Sequence, residues 1–187
     1  MSWYIEEQEP VYLDYNATTP LDPTVKNAIT AGLELWANPA SGNPIALKAR
    51  EEIDKARKSL AELLRVTSDE VIFTSGGTET NNWVIHSCVE RFKAEHPNQT
   101  PHVICSAIEH PSILEPLRHL RDTGQIEFTE LPIDPKTGQI TPSDALKLVK
   151  PSTCLVTVML ANNETGVIQP IAELSDAVRK ASSKHGT

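Results

Sequence analysis

The run Ser75-Gly76-Gly77-Thr78-Glu79 sits between an apolar stretch, Val71-Ile72-Phe73-Thr74, and a helix-patterned one at 81–92. A strand that stops at two glycines and restarts as a helix leaves several backbone N–H groups unpaired and pointing one way. With the positive end of the helix dipole they form a cradle for an anion such as a phosphate. Gly76 and Gly77 let the backbone approach that group closely, and the hydroxyls of Ser75 and Thr78 can donate to it. The dipole alone contributes about 0.3–1 kcal/mol at an exposed helix end, so several hydrogen bonds must act together. The alternative is an ordinary strand-to-helix turn with Thr78 as N-cap. Two other polar sites have the same setting. Glu109-His110 follows the apolar run 103–106, and an imidazole there can stack on a planar ligand, shuttle a proton, or be satisfied by nearby backbone. Asn162-Asn163-Glu164-Thr165-Gly166 follows the apolar run 155–160. A strand-end asparagine can donate to a ligand oxygen, or form a turn with Gly166 in the left-handed conformation.

These residues need a scaffold, and the pattern supplies one. Helices are predicted over 24–36, 44–64, 81–92, 112–122, 141–149 and 171–184, and strands over 71–74, 103–106, 126–131 and 155–160. Residues 11–13 read as a short strand or extended lead-in, with a polar turn at 16–22. In the 44–64 helix, Ile45, Ile53, Ala56, Leu60, Leu63 and Leu64 can share a buried face. Thr141 with Pro142 marks a helix start, 134–138 a turn, and 96–101 an exposed loop. Alternating strands and helices imply an α/β fold with a mostly parallel sheet and helices on both faces. In such sheets ligands sit at the carboxyl ends of the strands, where all three polar sites fall. No internal repeat is read from the sequence.

Composition narrows the function. A chain of 187 residues supports one substantial core. We divide it into an N-terminal extended segment, 1–22, and a main domain, 23–187. The net charge of -8 argues against a nucleic-acid partner, and no apolar stretch reaches the roughly 18 residues of a membrane span. The cluster Glu6, Glu7, Glu9 reads as a solvated tail, and acidic residues where a signal peptide is basic argue against secretion. Three cysteines (Cys88, Cys105, Cys154) without C-x-x-C spacing suit a reducing compartment, the cytosol, and read as core residues rather than nucleophiles. The six histidines show no metal-binding spacing, so no metal site is expected. Trp36 and Trp83 read as packing residues.

Five blocks occur in order: Val11-Tyr12-Leu13-Asp14-Tyr15-Asn16-Ala17-Thr18-Thr19-Pro20, Trp36-Ala37-Asn38-Pro39-Ala40-Ser41, Phe73-Thr74-Ser75-Gly76-Gly77-Thr78-Glu79-Thr80-Asn81-Asn82, Glu109-His110, and Met159-Leu160-Ala161-Asn162-Asn163-Glu164-Thr165-Gly166. Together they resemble the NifS-like class V aminotransferase family of cysteine desulfurases and selenocysteine lyases, over nearly the whole chain. Asn81-Asn82 with Val84-Ile85-His86-Ser87 resembles the selenocysteine lyase branch more closely.

The resemblance implies pyridoxal 5'-phosphate (PLP) and the large domain of a fold-type I PLP-dependent transferase, here truncated. It implies that Gly77 and Thr78 hold the cofactor phosphate, that His110 stacks on the ring and assists proton transfer, and that Asn163 hydrogen-bonds the ring's phenolic oxygen. Asn16 and Ala17 match the segment lining the substrate side. The implied reaction converts L-selenocysteine to L-alanine with release of selenium, or, as the alternative, releases sulfur from L-cysteine. A homodimer is implied for the full-length form. In the family the lysine that holds the cofactor, the aspartate facing the pyridine nitrogen and a loop cysteine lie later in the sequence. None of the ten lysines present matches that anchoring position. These residues are therefore expected to be an amino-terminal portion that is inactive alone and thermally weak, or a non-catalytic form that pairs with full-length subunits. A plain phosphate-binding α/β domain is a further alternative, without the usual nucleotide-loop motifs.

Overall fold

The computed structural model describes residues 11–185, without the side chains of 184 and 185. The cluster Glu6, Glu7, Glu9 and the first ten residues of the 1–22 segment lie outside the described residues. The chain divides after Phe73 into two compact units.

In the first unit, helix α1 (Pro23–Gly32) begins where the Asp22 side chain accepts from the Thr24 amide at 2.7 Å, with Pro23 in the first turn. It stops at Gly32, short of the predicted 36: the Leu33 amide still donates to the Ile29 carbonyl, but Leu35 bonds only back to Gly32. Trp36 is 79% exposed, contrary to the packing role read from the sequence. Helix α2 (Pro44–Leu64) has the predicted span. Asn43 caps it by accepting from the Ile45 and Ala46 amides, and Arg65 ends it in the left-handed conformation at φ 57°. Its covered face is not the predicted one. Ala46, Ala49 and Ala61 are buried, whereas Ile45, Leu63 and Leu64 are exposed, so the small-residue row makes the close contacts.

The predicted strand at 71–74 does not join a sheet among the described residues. Val71 is extended (φ -99°, ψ 116°), but its carbonyl accepts from Arg57 Nε at 3.3 Å, a bond a neighbouring strand would otherwise supply. The Arg57 guanidinium lies 5.2 Å from the Phe73 ring centroid. Residues 11–13 likewise form no ladder among the described residues.

The second unit is the α/β layer structure expected. Helix α3 (Gly77–Glu95) leads into strand β1 (His102–Ser106), helix α4 (Pro111–Asp122), strand β2 (Glu127–Leu131), helix α5 (Pro142–Leu148), strand β3 (Thr153–Thr157) and helix α6 (Ile171–His185). The sheet is parallel, in the order β2-β1-β3. Strand β1 is central and buried throughout. Val103 and Cys105 face one core with Ile85, Val89, Ile113, Leu117 and Leu120, from α3 and α4. Ile104 faces the other, with Ala145, Leu174 and Ala181 from α5 and α6. Trp83, on α3, is 51% exposed rather than packed. Strand β3 ends at Thr157 instead of 160 because the next backbone donor, Met159 N–H, leaves the ladder for the Glu109 carboxylate.

At the amino end of the sheet, His102 is fully buried. Its Nδ1 pairs with Thr153 Oγ1 at 2.8 Å and its Nε2 with Thr129 Oγ1 at 2.9 Å, so one ring staples all three strands. Burial first, then the nearby Lys150 charge, holds its pKa below the ordinary 6.5, against an upward pull from Glu127. The neutral ring is the stabilising form, so its contribution is complete above 6.5 and is lost as pH falls through the lowered folded value. Thermal unfolding of the chain at pH values from neutral down through 6.5 is expected to show a falling midpoint whose acid arm flattens in His102→Gln. His102→Ala is expected to cost about 1–3 kcal/mol for each threonine hydroxyl left unpaired. An acid arm unchanged in both variants contradicts this assignment.

Candidate functional site

The bend before α3 is an open helix N-terminus. Gly76 is the N-cap, not Thr78, and having no side chain it supplies no acceptor to the first-turn amides. Its backbone is extended (φ 162°, ψ 175°) and unstrained. A Cβ built on Gly76 or Gly77 would meet nothing within 4 Å, so protein packing does not fill the space beside these two glycines. The Thr78 hydroxyl has no partner among the described residues, and the Thr78 carbonyl accepts from Asn82 Nδ2 at 2.9 Å. Ser75 behaves differently from the sequence reading. Its amide and its hydroxyl both donate to Glu79 Oε2 at 2.6 Å, which commits that hydroxyl within the bend. Those two bonds hold the Glu79 carboxyl below its ordinary range. The other donors of the bend include the Gly77 and Thr78 amides and the Thr78 hydroxyl.

His110 occupies the N-cap of α4. Its Nδ1 accepts from the Ser112 amide at 3.0 Å and lies 2.8 Å from Ser112 Oγ. Ser112 Oγ in turn accepts from Asn81 Nδ2 at 2.8 Å. Asn81 stands on the first turns of α3, so one side-chain bond ties the helix of the glycine bend to the residue that orients His110. The imidazole itself is exposed.

The third site is joined to the second from both directions. Glu109, 8% exposed, accepts through Oε1 from Ser106 Oγ at 2.7 Å and from the Met159 amide at 2.6 Å. Asn162 reciprocates: its Nδ2 donates to the Ile108 carbonyl at 3.1 Å. Its Oδ1 accepts from the Glu164 and Thr165 amides and from the Thr165 hydroxyl. Asn162 is thus a structural turn residue with both ends of its amide in use. Asn163, beside it, is exposed. The structure therefore brings the glycine bend, His110 and the Asn162–Asn163 turn together through hydrogen-bonded links at one end of the second unit. Asn16 and Ala17 lie in the first unit, in an exposed turn where the Ala17 amide donates to the Asp14 carbonyl at 3.2 Å.

This turn has a twin that the sequence reading missed. Ile133-Asp134-Pro135-Lys136-Thr137-Gly138-Gln139-Ile140 and Ala161-Asn162-Asn163-Glu164-Thr165-Gly166-Val167-Ile168 share acid-or-amide, Thr-Gly and Ile at matching positions. Each closes with an isolated antiparallel bridge, Ile133 to Ile140 and Ala161 to Ile168. Each has a left-handed glycine, Gly138 at φ 70° and Gly166 at φ 74°. Gln139 donates to the Ile168 carbonyl, while Gln169 accepts from the Ile140 amide and donates to the Gly138 carbonyl. The repeated Thr-Gly at a fixed distance from Asp134 and Asn162 is the signal that could have revealed it.

The cysteines belong elsewhere. Cys88 and Cys154 line a groove with Phe92, His96 and Thr153 at the amino end of β3. Burial raises the Cys88 thiol, and raises Cys154 to about 11 and Cys105 to about 12, as fits core residues rather than nucleophiles. No group of three or more metal-binding side chains occurs among the described residues, and no helix there is long and apolar enough to cross a membrane.

The Aminotransferase class-V family pattern matches residues 11–184. A selenocysteine lyase of Bos taurus is 48% identical over 187 residues, covering 92% of this chain and 43% of that protein. Cysteine desulfurase IscS of Dictyoglomus turgidum is 40% identical over 171 residues, covering 91% of this chain and 42% of that protein. Among solved structures, a NifS-like protein superposes with a TM-score of 0.85 at 34% identity, over 92% of this chain and 46% of that one. The chain thus spans less than half the length of these relatives. On the match across its length, and on a parallel sheet whose polar loops gather at one end, the chain belongs to the aminotransferase class-V family.

Proposed function

We propose that this chain forms the phosphate- and ring-binding part of a PLP-dependent lyase that removes selenium from L-selenocysteine and leaves L-alanine. The observation that carries this reading is the linkage of three loops: an open amide cradle, an exposed imidazole and an asparagine turn, held together by the Asn81–Ser112, Met159–Glu109 and Asn162–Ile108 bonds. The residues fit the group. A Cβ built at Gly76 or Gly77 meets nothing within 4 Å, which leaves the bend room for a phosphate, and each bond from the Gly77 and Thr78 amides or the Thr78 hydroxyl to a phosphate oxygen would be charge-assisted, worth about 1.5–3 kcal/mol. His110 covers the ring and moves a proton at its free nitrogen. Asn163 donates to the phenolic oxygen, while Asn162 keeps the turn in shape. Asn16 and Ala17 line the substrate side. When bound, the cofactor supplies an electron sink for breaking the bond from Cβ to selenium. Cysteine is the alternative substrate, a reading supported by the 40% identity to a protein named as a cysteine desulfurase.

Assembly into a homodimer, and pairing of these 187 residues with a longer subunit, are supported by the exposed apolar side chains of the first unit, among them Val11, Leu13, Trp36 and Leu63. Co-elution with a full-length relative in size-exclusion chromatography is expected, and independent elution contradicts that pairing. No lysine lies on the glycine bend or on the loops after β1 and β3, so cofactor binding without covalent lysine attachment, and no turnover, is expected of these residues alone. Borohydride trapping of a lysine together with alanine formation contradicts it.

Equilibrium binding of PLP tests the cradle. Thr78→Ala is expected to weaken binding about tenfold, corresponding to about 1.4 kcal/mol. Gly77→Asp, which puts a carboxylate where the phosphate sits, is expected to abolish it. Glu109→Ala is expected to weaken binding and to speed amide exchange at Met159 together. Equal PLP affinity in all three variants overturns the proposed site.

A further inference from the structure

We propose that Asn81 and Ser112 are positioning residues that fix the tautomer of His110, so that the neutral imidazole carries its proton on Nε2. A backbone amide can only donate, so the Ser112 N–H at 3.0 Å favours an unprotonated Nδ1, and a second donor at the same nitrogen is what makes that preference decisive. The Ser112 hydroxyl, 2.8 Å from the same nitrogen, then has one way to bond it: its hydrogen points at Nδ1. That leaves its lone pairs for Asn81 Nδ2, also at 2.8 Å. The direction of the chain is set throughout, Asn81 N–H to Ser112 O–H to Nδ1. Nδ1 is occupied twice, and Nε2, without a partner among the described residues, is the one ring position that can exchange a proton with a ligand. The two donors reach Nδ1 from different elements. The Ser112 amide belongs to the first turn of α4, whereas Asn81 belongs to α3, which begins at the glycine bend. The same link therefore keeps the imidazole in register with the cradle. Its catalytic value rests on the PLP reading above, but the tautomer itself does not.

Long-range proton–nitrogen correlation spectra of the chain labelled with nitrogen-15 in histidine read the tautomer directly, without cofactor. The His110 Nδ1 resonance is expected at the unprotonated position and Nε2 at the protonated one, at a pH where the ring is neutral. In Asn81→Asp the new carboxylate accepts the Ser112 hydroxyl's hydrogen bond and turns it away from Nδ1, and the Nδ1 resonance is expected to shift toward the protonated position. Ser112→Ala, which keeps only the amide donor, is expected to shift it in the same direction, and Ser112→Thr to restore the parent spectrum. A protonated Nδ1 in the parent chain overturns the inference by itself, even if a variant fails to fold. Unchanged spectra in Asn81→Asp and Ser112→Ala overturn it as well. Failure of PLP binding with the expected tautomer intact counts against the proposed function alone.

Discussion

Glu109 carries a carboxylate into the protein just past the end of β1 and fills it with a backbone amide from beyond β3 and a hydroxyl from β1 itself. An unpartnered buried carboxylate costs several kcal/mol, while each hydrogen bond to one contributes about 1.5–3 kcal/mol, so the loops after β1 and β3 are held together or the charge is exposed. Asn162 closes the same contact from the other side through the Ile108 carbonyl. Parallel strands hand the chain on at their carboxyl ends, where loop backbone has no ladder to satisfy it. Here side chains do that work, and by doing so they bring His110 and Asn163 onto neighbouring turns.

The placement of the glycine bend follows from a second contact of the same kind. Helix α3 packs with α4 on one face of the sheet through Ile85, Val89, Ile113 and Leu117, a non-directional contact that permits many small adjustments. Asn81 to Ser112 removes that freedom at the end that matters, close to Gly77. The arrangement separates two tasks. Apolar packing on both faces of β1 holds the layers, and a few polar bonds at one edge set the geometry of the groups that would touch a cofactor.

Local signals were legible in the sequence. The span of α2 was read from its pattern, and the glycine bend and the strand-end His110 were found from residue type and spacing. What was not legible depends on partners far along the chain. Nothing near Val71 indicates that Arg57 takes its carbonyl, so an apolar β-branched run read as a paired strand. The buried face of α2 was assigned by the helical spacing of apolar residues, whereas close packing selects Ala46, Ala49 and Ala61. Asn162 and Asn163 are equivalent in sequence, and the role of Asn162 in holding the turn is seen only in its bond to the Ile108 carbonyl and those it accepts from Glu164 and Thr165. The Gln139–Gln169 interlock of the twin turns spans about thirty residues and has no local signature.

The central claim is that these three loops form one binding surface, with the phosphate at the bend and the ring against His110. Backbone and side-chain amide spectra of the chain titrated with PLP, and separately with unphosphorylated pyridoxal, test it most directly. The expected result is that PLP moves the resonances of Gly77, Thr78, His110 and Asn163 together, while pyridoxal moves those of His110 and Asn163 with little effect at the bend. Perturbations confined to other regions, such as the Cys88–Cys154 groove at the opposite end of β3, or identical responses to both compounds, would contradict it.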